Sequence, residues 1–221
     1  MVKAVVSYNF GGYDEMWPIL WEDSDWKYYL FTDKPDYQVD GWETIELTDK
    51  WYISDNPKRQ ANYVKYNTFK LLESLGKEVD LLVVIDANIK IAGPLDDFVN
   101  THLLNTYDGV FLQSNRISAY DDLDHCMKFD KDDEDELIRT AEFFEESGYP
   151  AKVQDYFQTT VSIRRNTSGW KVIEEVFTKT YEGYSKRDQP MMNFINWKYP
   201  VLDLNLIPMD KIATYLQYEK H

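Results

Sequence analysis

At 221 residues the chain has the size of one domain, and an apolar share of 43% with 16% aromatics excludes intrinsic disorder. No apolar run reaches the roughly 18–20 residues of a membrane helix, and one cysteine (Cys126) with three histidines excludes a disulfide and leaves little for a Cys- or His-built metal site. With 24 basic against 39 acidic side chains the formal charge is −15, which disfavours nucleic acid and anionic lipid as partners.

The acidity is concentrated. Residues 121–146 hold twelve acids against three bases (Lys128, Lys131, Arg139), so −9 of the charge lies in that one stretch. It reads as a solvated, mobile excursion from the domain. Residues 1–6 enter an apolar run directly, without the basic stretch, long apolar segment and cleavage site of a secretory leader. The expectation is a soluble, cytoplasmic protein.

In chain order, residues 3–10 form a β-branched and aromatic run that stops at Gly11-Gly12, a natural turn. Residues 25–32 predict a second strand, broken by Asp33-Lys34-Pro35, and residues 42–47 a third. From 57 to 75 the positions Ala61, Val64, Phe69, Leu72 and Leu75 recur at near-helical spacing, with Pro57 suited to the first turn and Gly76 to the stop. Residues 79–86 carry five consecutive aliphatics that do not alternate, as in a central strand covered on both faces. The short run 89–91 and the breaker Gly93-Pro94 come next, then a strand at 109–113 and a helix at 134–147. A strand at 157–164, helices at 169–181 and 188–197, and a last strand at 201–206 complete the chain. Strands and helices alternate without a repeat or linker. The predicted fold is a single α/β domain over residues 1–221, with a mostly parallel central sheet flanked by helices.

Such sheets bind ligands beyond the carboxyl ends of their strands. Asp86 is the sharpest candidate there. A carboxylate ending a buried strand suits a divalent ion such as Mg2+ or Mn2+, or a phosphate-bearing ligand; it also suits an ordinary turn cap, and position leaves both readings open. Arg59 and Lys65, six apart on the preceding helix, can reach a diphosphate or simply form a solvated face. Asp188 suits an N-cap ahead of Pro190, and equally a base or a partner for a sugar hydroxyl. Tyr8, Phe10 and Tyr13 offer rings to a nucleobase, although aromatic residues near strand ends more often fill the core. Gly11-Gly12 lacks the P-loop and dinucleotide fingerprints. Cys126 has no His and Asn/Asp pattern that would make it a nucleophile.

Several landmarks are similar to those of GT-A glycosyltransferases: Tyr29-Leu30-Phe31-Thr32-Asp33, Val83-Val84-Ile85-Asp86-Ala87-Asn88-Ile89, Thr160-Val161-Ser162-Ile163-Arg164-Arg165 and Arg187-Asp188-Gln189. They resemble in particular a family long catalogued as a domain of unknown function, whose plant members are linked to pectin and mucilage polysaccharide synthesis. The resemblance implies a Rossmann-like GT-A domain that moves a sugar from a nucleoside diphosphate sugar to a glycan or other acceptor. It implies donor binding by Tyr8, Asn9, Phe10, Asp33, Arg59, Lys65 and Asp86. A metal, Mn2+ or Mg2+, would sit on Asp86 and Asn88 in the place of the Asp-x-Asp motif. Asp188 and Gln189 would act beside the sugar, with Gln158, Thr159 and Arg164 on the acceptor side. The sequence departs from the pattern at Asn88, leaving one carboxylate where many such enzymes have two, which weakens a hard-cation site. A late histidine of the metal shell has no clear counterpart, since His221 is at the terminus.

Three other readings compete. A nucleotidyltransferase uses a similar sheet but wants a basic residue after the first strand, and residues 10–14 have none. A non-catalytic carbohydrate- or protein-binding module would account for the reduced metal motif. A modified base in viral DNA as acceptor is opposed by charge, because the chain outside 121–146 still carries −6.

Overall fold

The structure, a computed structural model, describes residues 1–34, 36–47, 51 and 53–218. Pro35 of the expected breaker and the terminal His221 lie outside the described residues. In chain order the first half holds β1 (Lys3–Asn9), β2 (Trp26–Thr32), β3 (Glu43–Glu46), α1 (Pro57–Tyr66), α2 (Thr68–Ser74), β4 (Leu81–Ile85), β5 (Ile89–Ile91) and α3 (Leu95–His102). The second half holds β6 (Gly109–Gln113), α4 (Ala119–Lys128), α5 (Glu134–Glu146), β7 (Phe157–Arg165), α6 (Ser168–Tyr181), α7 (Asp188–Lys198), β8 (Leu204–Ile207) and β9 (Leu216–Tyr218).

Seven of the described strands form one sheet in the order β3-β2-β1-β4-β7-β6-β8. Parallel pairing joins β3 to β2, β2 to β1, β1 to β4 and β6 to β8, whereas β7 runs antiparallel to β4 and β6. The single α/β domain with a mostly parallel sheet expected from the sequence is present. β5 and β9 pair separately as an antiparallel ribbon.

The unbroken aliphatic run of β4 has a direct cause. Its five residues are all at most 1% exposed because the sheet carries a core on each face. Leu82 and Val84 point to the core built with α1, α2, α6 and α7; Leu81, Val83 and Ile85 point to the one built with α3 and the β5–β9 ribbon.

Two expectations change. The predicted helix over 57–75 is two helices broken at Asn67, where φ is −121° and ψ is 23°. Asn67 donates its Nδ2 to the Tyr63 carbonyl at 3.0 Å and accepts from the Thr178 hydroxyl at 3.0 Å. These side-chain bonds hold the break alongside the backbone bonds from the Asn67 N–H to Tyr63 and from the Leu71 N–H to Asn67. The acidic stretch is not a loose excursion either. It folds into α4 and α5, which bury Leu123, Cys126, Leu137 and Phe144 in the core. Leu137, Thr140 and Phe144 recur at helical spacing beneath the charge and supply the buried stripe.

Gly11 and Gly12 both take left-handed φ, 67° and 66°, and a side chain at 12 would strike the Lys34 ammonium. Their turn lets the Gly11 N–H donate to Asp33 Oδ2 at 2.8 Å, drawing together the carboxyl ends of β1 and β2. Among the described residues no helix is long and apolar enough to cross a membrane.

Candidate active site

β1, β4, α1 and α7 bring four polar side chains to one point on the carboxyl edge of the parallel strands. Asp86 directly follows β4, anchored by its N–H to the Thr160 carbonyl at 3.0 Å. Lys65 comes from the last turn of α1, with its side chain only 3% exposed. Its Nζ stands 3.1 Å from Asp86 Oδ1 and 2.8 Å from Asp188 Oδ2, at the start of α7. The Tyr8 hydroxyl donates to the same Asp86 oxygen, and the Tyr66 hydroxyl donates to Asp188 Oδ2 at 3.0 Å.

The supporting layer is Arg164, 2% exposed, on β7. It donates Nη1 to the Lys65 carbonyl at 2.5 Å and Nε to Ser162 Oγ at 2.9 Å, between the rings of Tyr66 and Trp170. Arg164 therefore caps the C-terminal end of α1 from within. This enclosed place is not an open acceptor wall.

Charge and burial set the protonation. Burial alone would raise the Asp188 carboxyl, but the Lys65 ammonium overrides it and holds Asp188 well below the usual carboxylate range. Burial raises Asp86, with Lys65 opposing and the Asp188 charge assisting the rise. Burial and the Asp86 charge push the Tyr8 hydroxyl well above its ordinary value, so it keeps its proton and acts as a donor.

The other sequence-selected residues scatter around this point. Asn9, buried at the end of β1, donates to the Asp14 carbonyl at 2.7 Å and lines a cleft of about 200 Å3 with Gly12, Asp14, Glu15, Thr32, Lys34 and Tyr37. Phe10 is core, and Asp33 is exposed beyond its bond to Gly11. Arg59 turns away from Lys65: it pairs with Glu136 at 3.0 Å and donates to the Tyr184 carbonyl at 2.5 Å. Thr159 is buried beside Asp188 and Tyr66, while half-buried Gln158 donates to the Gln113 carbonyl at 3.3 Å. Gln189 donates to Asp122 Oδ2 at 2.7 Å.

The residues at 86 and 88 do not make a divalent-metal cage. Asp86 Oδ1 already receives Tyr8 and Lys65, and that ammonium stands where a second cation would be repelled. Asn88 adds a neutral oxygen in place of a second carboxylate, and among the described residues no group of three His, Cys, Asp or Glu side chains assembles. Cys126 is buried, and burial pushes its thiol up, away from a reactive thiolate.

Sequence reasoning missed Tyr66, Asp122, Asp132, Lys186 and Tyr218. Tyr66 adjoins Lys65, so the helix that carries one toward the sheet carries the other. Tyr218 pairs with Ile89 across the β5–β9 ribbon, and burial with the nearby Asp86 charge pushes its hydroxyl up to about 12. Asp132, with no exposed side-chain surface, pairs with Lys186, accepts from Ser185 Oγ at 2.5 Å and from the Lys186 N–H at 2.9 Å. It thereby grips the loop leading to Asp188.

No family profile matches the sequence, and no curated protein matches it. Solved structures do share its architecture. The bifunctional glycosyltransferase WbbM superposes with a TM-score of 0.51 at 13% identity, covering 93% of this chain, which spans 38% of that one. Mouse xyloside xylosyltransferase 1 gives 0.50 at 7% identity, covering 93% and 85% of the two chains. The galactosyltransferase LgtC, solved with donor and acceptor sugar analogs, gives 0.46 at 9% identity over 92% and 72%. At these identities the shared property is the fold. The domain has the GT-A, Rossmann-like architecture found in glycosyltransferases.

Proposed function

We propose that the chain transfers a sugar from a nucleoside diphosphate sugar to an acceptor, with the transferred sugar lying against Asp188. The observation that carries this reading is the Asp86–Lys65–Asp188 set on the carboxyl edge of the sheet. Cleaving the bond from the anomeric carbon to the diphosphate leaves the carbon positive and the oxygen negative. An ionised Asp188 stabilises the positive carbon. Held below the usual carboxylate range, it is a poor proton acceptor, so charge stabilisation suits it better than base catalysis. Lys65 fixes both carboxylates and offsets the negative charge that collects between them. The Asn9–Tyr37 cleft takes the nucleotide end; with Lys34 set against Asp14 and Glu15 it carries no net positive charge and suits the base and ribose better than the diphosphate. Gln158 and Thr159 stand on the acceptor side, and Arg164 supports Lys65 from below.

The test is thermal unfolding with UDP- and GDP-sugars, in Mn2+ and in chelator, followed by donor turnover. A donor at 100-fold excess over its Kd adds about 2.7 kcal/mol and a visible rise in Tm. Asp188→Asn is expected to keep the donor shift and lose about 100-fold or more in turnover. Absence of a shift with every nucleotide sugar, with or without Mn2+, overturns the proposal.

A further inference from the structure

Half-buried cations normally meet an anion or a carbonyl, because desolvating one without a partner is costly. Lys3 has Asp96, Arg59 has Glu136, Lys77 has Glu43, Lys186 has Asp132, and Arg165 has the Leu103 and Tyr107 carbonyls. Lys58, Arg116 and Arg187 are also half-buried, yet among the described residues their side chains make no ion pair and no hydrogen bond. In a chain with 39 acids, three such exceptions need a reason.

They gather in one place. Asn62, one turn beyond Lys58 on α1, donates to the Lys186 carbonyl at 2.9 Å, which sets Lys58 beside Arg187. Gln189, two residues past Arg187, reaches Asp122 on α4, and Arg116 lies in the loop between β6 and α4. The charges respond to one another and to the acids between them. Burial and then Arg187 depress the Lys58 ammonium, while Asp188 and Asp132 oppose. Against its burial, Cys126, Asp188, Asp122 and Asp132 raise Arg187, and Arg187 and Arg116 both act on Asp122. The carboxylates facing them are already engaged, Asp188 by Lys65 and Tyr66, Asp122 by Tyr156 and Gln189, and Asp132 by Lys186 and Ser185.

The Arg116 end of this rim is remote from the nucleotide cleft, whereas Lys58 lies nearer to it, because the preceding Pro57 packs on Gly11. β6 stands three strand positions from β1, about 14 Å at ordinary strand spacing. The rim flanks Asp188 on the Gln189–Asp122 side.

We propose that Lys58, Arg116 and Arg187 form an anion-binding rim that takes a phosphate or carboxylate group carried by the acceptor, presenting an acceptor hydroxyl to the sugar at Asp188. The word acceptor rests on the glycosyl-transfer reading. The anion preference rests on the three side chains alone.

The experiment is calorimetric titration at low salt with glucose, glucose 6-phosphate and glucuronate as probes, repeated with UDP present. At least one anionic sugar is expected to bind about tenfold or more tightly than glucose, the scale of one good charge-assisted contact. Phosphate preference over glucuronate, or the reverse, names the group. Lys58→Gln and Arg187→Gln are each expected to erase most of that advantage, while Lys58→Arg and Arg187→Lys retain part of it. Salt should weaken the anionic probes and leave glucose unchanged. Equal binding of all three sugars overturns the rim, as does an advantage that survives both glutamine variants in folded protein. Competitive displacement by UDP overturns it too, since the cations then serve the donor. Anion binding without any nucleotide-sugar response would sink the transfer reading and leave the rim standing; the reverse result would sink the rim alone.

Discussion

The carboxyl edge of the sheet is assembled differently at its two ends. At the β1–β4 end, strand register does the placing. Val6 pairs with Val84, so Tyr8 and Asp86, each two residues further, arrive level and bond. At the α4–α7 end the loop before Asp188 pairs with no strand among the described residues and is held from the flank. Asp132 binds Ser185 and Lys186, Thr140 accepts the Ser185 N–H at 2.8 Å, and Glu136 steadies the Arg59 that bonds the Tyr184 carbonyl. Backbone pairing fixes one end, and side chains of α5 and the turn before it fix the other, together with Asn62 and Tyr181 on the Lys186 carbonyl. The lesson is that the most charged stretch of the sequence serves as internal scaffolding.

The largest effect is expected from breaking the first end. Lys65→Met leaves Asp86 and Asp188 close together without their cation, side chains 26% and 15% exposed. Removing one partner of a buried pair costs about 3–5 kcal/mol, readable as a drop in the urea midpoint. Donor turnover should vanish with it. A midpoint within the error of wild type would mean that register alone holds this end.

The second end should fail more gently. Asp132→Asn keeps the shape but strands the Lys186 ammonium and weakens charge-assisted bonds, a loss of about 2–3 kcal/mol. The amides of Ser185, Lys186 and Arg187 should then exchange with solvent faster than those of β4. Unchanged protection of that loop would show that the acidic helices merely lie against it.

These two ends also mark what could be read from sequence. The five aliphatics before Asp86 announce a doubly covered strand, and the polar residue at its end is the natural candidate. Lys65 was within reach because its helix precedes that strand. Arg59, on the same helix, was equally eligible by charge, and only its contact with Glu136 sends it elsewhere. Composition could not do more at the second end, because a net count of −9 says nothing about which carboxylates point inward. Arg164 shows the same limit: a strand-borne arginine near the site resembles a ligand-binding group until burial puts it beneath Lys65.

A pH experiment sharpens the first end from below. Glu174 on α6 accepts the Phe69 N–H at 3.1 Å, at the start of α2, and lies close enough to Arg164 to feel its charge. Burial pushes its carboxyl from the ordinary 4.5 up to about 7. Between those values the folded state holds a proton that the unfolded state has lost. The group's stabilising contribution is therefore full below about 4.5 and falls as the pH rises to about 7. Glu174→Gln removes the titration, so the wild type should lose on the order of 2–3 kcal/mol relative to the variant between pH 5 and 8. Parallel stability curves would contradict this.

The smallest expected effect tightens the second end instead of breaking it. α4 ends in a Schellman pattern, with the Lys131 N–H on the Cys126 carbonyl at 2.9 Å and the Asp130 N–H on the Met127 carbonyl at 3.2 Å. The residue at the left-handed position is Asp130, at φ 50°. Aspartate tolerates that region better than most side chains, yet it still carries a Cβ penalty that glycine lacks. Asp130→Gly should therefore stabilise the chain by about 0.5–1 kcal/mol, less the extra freedom glycine gives the unfolded state. The turn leads directly to Asp132, two residues on, so a better-formed turn should slow hydrogen exchange at Ser185 and Lys186. A raised midpoint with no change in that exchange would place the gain in α4 alone, and would separate the helix cap from the grip on the Asp188 loop.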